Sequence, residues 1–109
     1  MSGFDPSASL TGNKAPETKD FIMQQTMMRV KDPKVSLEFY CNILGMQLIH
    51  YSDFPQWKFT VYFVGYVDKA RIPESSKERW EFCLKTSGCV ELTHNYGSEI
   101  EEGASTFGL

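Results

Sequence analysis

One stretch decides the fold of this 109-residue chain: FIMQQTMMRVKDPKVSLEFYCNILGMQLI, residues 21–49. Residues 21–30 are apolar with polar residues set at intervals, which predicts a strand. Asp32 then offers a good N-cap, and Pro33 suits the first position of a helix. Apolar residues recur at helical spacing up to Gly45, which predicts a helix of about three turns. The recurring residues are Val35, Phe39, Tyr40, Ile43 and Leu44.

The rest of the chain predicts more strands. The predicted elements are strands at 46–52, 57–67 and 89–95, turns at 53–56 and 86–88, and a polar loop at 68–79. Residues 80–85, WEFCLK, fit either a short strand or a helical turn with Trp80 and Leu84 on one side. The order strand, helix, strand, strand, strand predicts an α+β fold. One helix would pack on a small, largely antiparallel sheet whose far face is uncovered.

Composition excludes several classes of function. The formal net charge is −3, and no basic cluster indicates binding to nucleic acid or to an anionic membrane. No apolar run approaches the roughly 18 residues of a membrane span. The three cysteines are an odd number without CxxC spacing, which favours free thiols in a reducing compartment, the cytoplasm.

Polar side chains share a face on two of the predicted strands. Because alternate residues of a strand point the same way, Gln25 and Arg29 lie together on the first strand, as do Glu91 and Asn95 on the last. His94 falls on the opposite face with apolar neighbours, which favours a core or edge histidine. Solvent exposure is the alternative for both polar pairs, since spacing alone does not show that the two strands converge.

Three segments together resemble eukaryotic-type glyoxalase I, the lactoylglutathione lyase family of the vicinal oxygen chelate superfamily. They are residues 21–49, DFPQWKFTVYFVGY at 53–66 and VELTHNYG at 90–97, which follow one another in the family's order. The resemblance implies one βαβββ module over residues 21–97, half of the glyoxalase fold. Residues 1–20, rich in Gly, Pro and Ser, are expected to form a flexible N-terminal arm, and residues 98–109 a C-terminal tail.

The resemblance also implies an activity. The family isomerises the methylglyoxal–glutathione hemithioacetal to S-D-lactoylglutathione by metal-assisted proton transfer through an enediolate, with Zn²⁺ as the metal. Carried over to this chain, Gln25 and Glu91 are metal ligands, and Arg29 and Asn95 hold the glutathione moiety. An apolar wall beside the substrate is implied at Phe54, Phe59, Val61 and Phe63, for which ordinary core packing is the alternative. The family favours the helical turn for residues 80–85, which adds Trp80 and Leu84 to the wall.

The chain departs from the family where the second module supplies a ligating histidine and a glutamate that also acts as the base. Neither His50 nor His94 has the matching context, so no catalytic residue is assigned. Zinc sites use three or four protein ligands, so we expect an incomplete site and an inactive isolated chain. The tail resembles the end of a truncated or alternatively spliced product. Two functions stay open: a lyase that is active only when paired with a chain that supplies the second half, and a non-catalytic half-module that binds a partner or is an unstable fragment. As the assembly we expect a homodimer or a pair with a full-length chain, and the homodimer would not complete a site.

Overall fold

The computed structural model describes residues 3–11 and 15–100, and within them one four-stranded sheet. The strands are β1 (Gln25–Arg29), β2 (Gln47–Phe54), β3 (Phe59–Gly65) and β4 (Cys89–Asn95). Their order is β1-β4-β3-β2; β1 runs parallel to β4, and the other two pairings are antiparallel. The predicted α+β fold with a largely antiparallel sheet is confirmed. No helix of the described part is long and apolar enough to cross a membrane.

Both predicted flanking segments lie partly outside the described residues. Before the sheet, short 3-10 turns cover Pro6–Thr11 and Pro16–Thr18, and residues 6–10 and 16–18 are exposed. After it, a 3-10 turn covers Ser98–Ile100. The flexibility of the arm and the nature of the tail stay predictions.

The first helix begins where the sequence predicts. Helix α1 (Pro33–Leu37) starts after Asp32, whose carboxylate accepts a hydrogen bond from the Lys34 N–H at 3.0 Å. The chain continues as a π-helix over Glu38–Ile43 and stops before Gly45, which has a φ of +79°. A positive φ favours glycine, so the predicted stop has its physical cause.

The π-helix changes which side chains of this segment are buried. Its i→i−5 hydrogen bonds widen the turn and shift the helical period, so simple helical spacing no longer marks one buried face. Tyr40 is buried, but Val35 and Ile43 are 48% and 70% exposed. The helix therefore contacts the sheet with fewer of its apolar residues than their spacing suggests.

An Asp32→Ala variant should lower the free energy of unfolding by about 1 kcal/mol, because it leaves the Lys34 N–H without its capping partner. Urea denaturation followed by circular dichroism measures the change. Asp32→Asn retains a capping oxygen, so its free energy of unfolding should stay near that of the unchanged chain. Equal stability of all three proteins would show that the cap contributes nothing.

A second helix corrects the predicted loop at 68–79 and decides the ambiguity at 80–85. Helix α2 spans Ser76–Leu84, and a 3-10 turn at Lys69–Arg71 precedes it. The Ser75 hydroxyl accepts from the Glu78 N–H, as the N-cap residue of a capping box does, and it also donates to the Glu78 carboxylate. This Ser-x-x-Glu spacing is the sequence signal for the helix.

The two helices pack on opposite faces of the sheet, so the prediction of one helix and an uncovered far face is wrong. On one face, the segment with α1 packs on a cluster made by Val30, Tyr40, Val64 and Leu92. On the other face, α2 packs on a cluster made by Ile49, Val61, Phe63, Cys83 and Cys89. Gln24 ties this arrangement to β1, since its amide donates to the Cys83 carbonyl at 2.9 Å.

The ends of β2 and β3 also differ from the prediction. β2 runs to Phe54, so Asp53 and Phe54 belong to the strand, and the turn occupies residues 55–58. Lys58 has a φ of +59° in this turn, and β3 begins only after it. Trp57, expected in the strand, is 66% exposed.

A β-bulge interrupts β2 near its start. The pairing with β3 passes from Leu48 opposite Val64 to His50 opposite Phe63, which leaves Ile49 as the extra residue. Gly65 provides room for it, because a Cβ there would lie 3.2 Å from Ile49 Cδ1. Leu48 and His50 therefore point to opposite faces, although they are two residues apart.

Candidate active site

The sheet face beneath α2 carries a cavity of about 610 Å³. Six predicted site residues line it, namely Gln25, Glu91, Phe54, Phe59, Val61 and Phe63. The remaining lining residues are His50, Ser52, Ser76, Lys77 and Trp80. The structure thus brings the two implied metal ligands and the implied apolar wall into one place.

The side chains of Gln25 and Glu91 meet in this cavity. The Gln25 amide donates a short hydrogen bond to Glu91 Oε1, and the Thr93 hydroxyl lies 3.4 Å from Glu91 Oε2. Both residues are half-buried. The convergence arises because β1 and β4 are adjacent parallel strands, a pairing that sequence spacing could not show.

Three rows of side chains cross the sheet on the cavity face. The register of β4, β3 and β2 aligns Glu91 with Phe63 and His50, Thr93 with Val61 and Ser52, and Asn95 with Phe59 and Phe54. Partners directly opposite each other in antiparallel strands share a face. The cavity floor is therefore polar along both sides and apolar along β3.

Aromatic rings build the wall of the cavity. The rings of Phe54 and Phe59 stack at 4.9 Å, and the Phe63 ring lies 5.3 Å from that of Trp80 on α2. Trp80 joins the wall as the helical alternative implies, but Leu84 is 46% exposed and does not line the cavity.

The two implied glutathione contacts lie on the cavity face but outside the cavity. Arg29 is opposite Thr93, and Asn95 is opposite Phe59; both side chains are exposed. Relative to Glu91, both residues lie nearer the carboxyl end of β4.

His94 points to the other face, as strand alternation indicates. It is opposite Thr60, is 8% exposed, and donates to the Glu99 carboxylate at 2.8 Å. This hydrogen bond lowers the pKa of Glu99. The Ser98 hydroxyl also donates to the Lys31 carbonyl at 2.7 Å, so the turn after β4 is held against the start of α1.

No other residues in the described ranges assemble a metal site. Residues 3–11 and 15–100 contain no group of three or more His, Cys, Asp and Glu side chains placed to hold an ion. The three cysteines are free, and burial raises the pKa of the Cys83 thiol to about 12, so it stays protonated.

A hydrogen-bond network around Asp53, on the sheet face opposite the cavity, should make stability depend on pH. The Asp53 carboxylate accepts from the Tyr96 hydroxyl and, at 2.8 Å, from the Thr60 hydroxyl, and these bonds lower the pKa of Asp53. A lowered folded-state pKa contributes stability above the ordinary aspartate range and loses it as pH falls through the lowered value. Asp53→Asn should therefore be less stable than the unchanged chain at neutral pH and equal to it in strong acid. Urea titrations across this range measure the difference, and a constant gap at all pH values would contradict the assignment.

Comparison with known proteins identifies relatives of this arrangement. The model of the Glyoxalase/Bleomycin resistance protein/Dioxygenase superfamily matches residues 22–106. A lactoylglutathione lyase from Pseudomonas putida is 41% identical over 90 residues, covering 83% of this chain and 52% of the relative. One from Schizosaccharomyces pombe is 41% identical over 97 residues, covering 89% of this chain and 28% of the relative.

Solved structures show the same likeness. Glyoxalase I from Zea mays superposes with a TM-score of 0.50 and 34% identity over 67% of this chain and 21% of that structure. The trypanothione-dependent glyoxalase I of Leishmania major gives a TM-score of 0.50 and 32% identity over 76% of this chain and 50% of that structure. The chain spans about half or less of the length of these relatives. Because the family model matches residues 22–106, the chain belongs to the Glyoxalase/Bleomycin resistance protein/Dioxygenase superfamily.

Proposed function

We propose that this chain provides half of a lactoylglutathione lyase site, in which Gln25 and Glu91 are two of the metal ligands. The observation that carries the proposal is their direct contact at the rim of an aromatic cavity. Relatives named lactoylglutathione lyase, at about 40% identity, support the same activity. The substrate class is the hemithioacetal of methylglyoxal and glutathione.

The donor set fits a divalent metal in part. Gln25 and Glu91 supply two oxygen ligands, whereas zinc sites use three or four protein ligands. The Gln25 amide now presents its nitrogen to Glu91, and turning the amide over would present its oxygen instead. Zn²⁺, when bound, supplies a Lewis acid for negative charge that develops on substrate oxygens.

The chain's own residues would bind and orient the substrate. The wall formed by Phe54, Phe59, Val61 and Phe63 excludes water from the carbon skeleton beside Glu91, which strengthens electrostatic interactions there. Arg29 and Asn95 lie on the same face and would hold the glutathione moiety. The Arg29 guanidinium suits a glutathione carboxylate, since it can donate two parallel hydrogen bonds.

The base and the remaining ligands would come from a second module, in a full-length chain bound to this one. A non-catalytic half-module is the second candidate, and the finding that favours it is that the described residues contain no group of three or more His, Cys, Asp and Glu side chains placed to hold an ion. The free cysteines are consistent with a reducing compartment, which supports the cytoplasm as location.

The test is isomerisation of the methylglyoxal–glutathione hemithioacetal, followed by the absorbance of the thioester product. The purified 109-residue chain with added Zn²⁺ should show no appreciable turnover. A complex with a full-length relative whose own equivalents of Gln25 and Glu91 are replaced should regain activity, because each chain would supply what the other lacks. Failure of the two chains to copurify, or an inactive complex, would favour the non-catalytic candidate.

A further inference from the structure

His50 is a polar residue in the cavity that the proposed metal and glutathione contacts do not use. The β-bulge at Ile49 turns it away from the face of Leu48 and places it opposite Phe63, on the cavity side of the sheet. Bulges occur often beside active sites, where they redirect one side chain. Without the extra residue, the imidazole would point toward the α1 side.

The His50 imidazole is buried and only half satisfied. The residue is 6% exposed, and its ring lies 5.2 Å from the ring of Trp80 and 6.3 Å from that of Phe63. Its Nε2 is 2.9 Å from the Ser52 hydroxyl. Its Nδ1 is buried and has no hydrogen-bond partner among the described residues. Leaving a buried polar atom unpaired is costly, so a polar partner from outside the protein, either a water or a ligand group, would stabilise this nitrogen of a residue that lines the cavity.

The chemistry of the imidazole says which ligand group fits. Burial and, secondarily, the positive charge of Arg79 lower the pKa of His50, so the ring is neutral at neutral pH. A neutral imidazole has one N–H and one lone pair, and the Ser52 hydroxyl can pair with either. If Nε2 carries the proton, Nδ1 accepts a hydrogen bond; if Nδ1 carries the proton, Nδ1 donates one. A ligand hydroxyl satisfies both cases, whereas a methyl group satisfies neither.

The position of His50 relative to Glu91 indicates which end of the ligand would lie near His50. The two residues occupy the same row of the sheet with Phe63 between them, so their Cα atoms are about 10 Å apart at normal strand spacing. A ligand held at Glu91 that crosses Phe63 would direct its carbon end toward His50. The glutathione contacts, Arg29 and Asn95, lie elsewhere on the face.

We propose that His50 determines specificity by binding a hydroxyl on the carbon end of the substrate. The cavity would then prefer glutathione adducts of hydroxyl-bearing 2-oxoaldehydes over the methylglyoxal adduct. This inference rests on the proposed function for the glutathione part of the ligand. It rests on the cavity alone for the preference of hydroxyl over methyl.

Two pairs of isosteric probes test glutathione binding and the preference for hydroxyl over methyl separately. The first pair is S-(2-hydroxyethyl)glutathione and S-propylglutathione; the second is benzyl alcohol and ethylbenzene, which contain no glutathione. Binding is followed by Trp80 fluorescence in a Trp57→Phe background, because Trp57 is exposed and outside the cavity. The variants are His50→Phe, which removes both nitrogens, and His50→Gln, which keeps polar atoms. Tyr51→Phe is the matched control, since Tyr51 is the exposed neighbour on β2.

We expect the hydroxyl member of each pair to bind about tenfold more tightly. His50→Phe should abolish this preference, while His50→Gln and Tyr51→Phe retain most of it. Long-range ¹H–¹⁵N spectra of the unchanged chain should show benzyl alcohol shifting His50 Nδ1, a readout that needs no folded variant. Binding of both glutathione conjugates without preference overturns the inference but leaves the proposed function intact. Preference within the fragment pair, with neither conjugate binding, supports the inference and contradicts the proposed function. No preference in either pair, or no binding at all, overturns the inference.

Discussion

A Glu91→Gln variant is expected to lose about a hundredfold or more of the kcat/KM of the reconstituted complex, with little change in stability. The amide has the size of the carboxylate and can still bond to Gln25, so the fold has no reason to change. The loss would fall on metal affinity, because an uncharged amide replaces the one anionic ligand in our proposal for the described residues. Even changes to groups that merely support metal ligands cost about 10–100-fold, so loss of the anionic ligand itself should cost at least as much.

Three measurements separate this effect from unfolding. Calorimetric titration with Zn²⁺ should show weaker binding by the complex that contains Glu91→Gln. The urea unfolding curves of the Glu91→Gln chain and of the unchanged chain should coincide. In the isolated chain, Mn²⁺ should broaden amide signals near Glu91 and Gln25, and the variant should lose that broadening. Glu81→Gln is the control, because Glu81 is an exposed glutamate of α2 that does not line the cavity. Full activity of Glu91→Gln would rule out Glu91 as a ligand.

The elements that the sequence predicts well are those with local physical signals. Asp32 and Pro33 mark the start of α1, Gly45 marks the end of the π-helix that continues it, and residues 89–95 form β4 as predicted. Alternation along β4 also separates Glu91 from His94 correctly. These features depend on the residue and its immediate neighbours, which is why they can be predicted without tertiary information.

The features that escaped prediction depend on long-range packing. Nothing local states that β1 lies parallel beside β4, yet this pairing brings Gln25 to Glu91. The bulge at Ile49 has no turn residue to announce it; it becomes possible because Gly65, on the neighbouring strand, leaves space. Helix α2 is different, since the capping box from Ser75 to Glu78 is present in the sequence, but its mixed polar and apolar residues show no clear periodicity.

Glu91, the metal ligand that we propose, is followed in β4 by a core residue of the sheet, Leu92. Leu92 is fully buried and lies in the cluster formed with Val30, Tyr40 and Val64 on the α1 face. Leu92→Ala should lower the free energy of unfolding by about 3–4 kcal/mol, because it removes buried apolar contacts and leaves a cavity in the centre of the sheet. Small domains have total stabilities of about 5–15 kcal/mol, so this is a large fraction of the whole.

Urea denaturation measures that loss, provided that the slope of the unfolding free energy against urea concentration is unchanged. Leu84→Ala is the matched control. Leu84 carries the same side chain but is 46% exposed, so its truncation should cost less than about 1 kcal/mol. A loss below 1 kcal/mol at Leu92 would mean that the α1-side cluster does not support the sheet. Since Leu92 and Glu91 point to opposite faces, Leu92→Ala should lower activity only through the fraction of folded molecules. In the reconstituted complex, activity per folded Leu92→Ala molecule should therefore match that of the complex made with the unchanged chain. For Glu91→Gln, that activity should fall while the folded fraction stays constant.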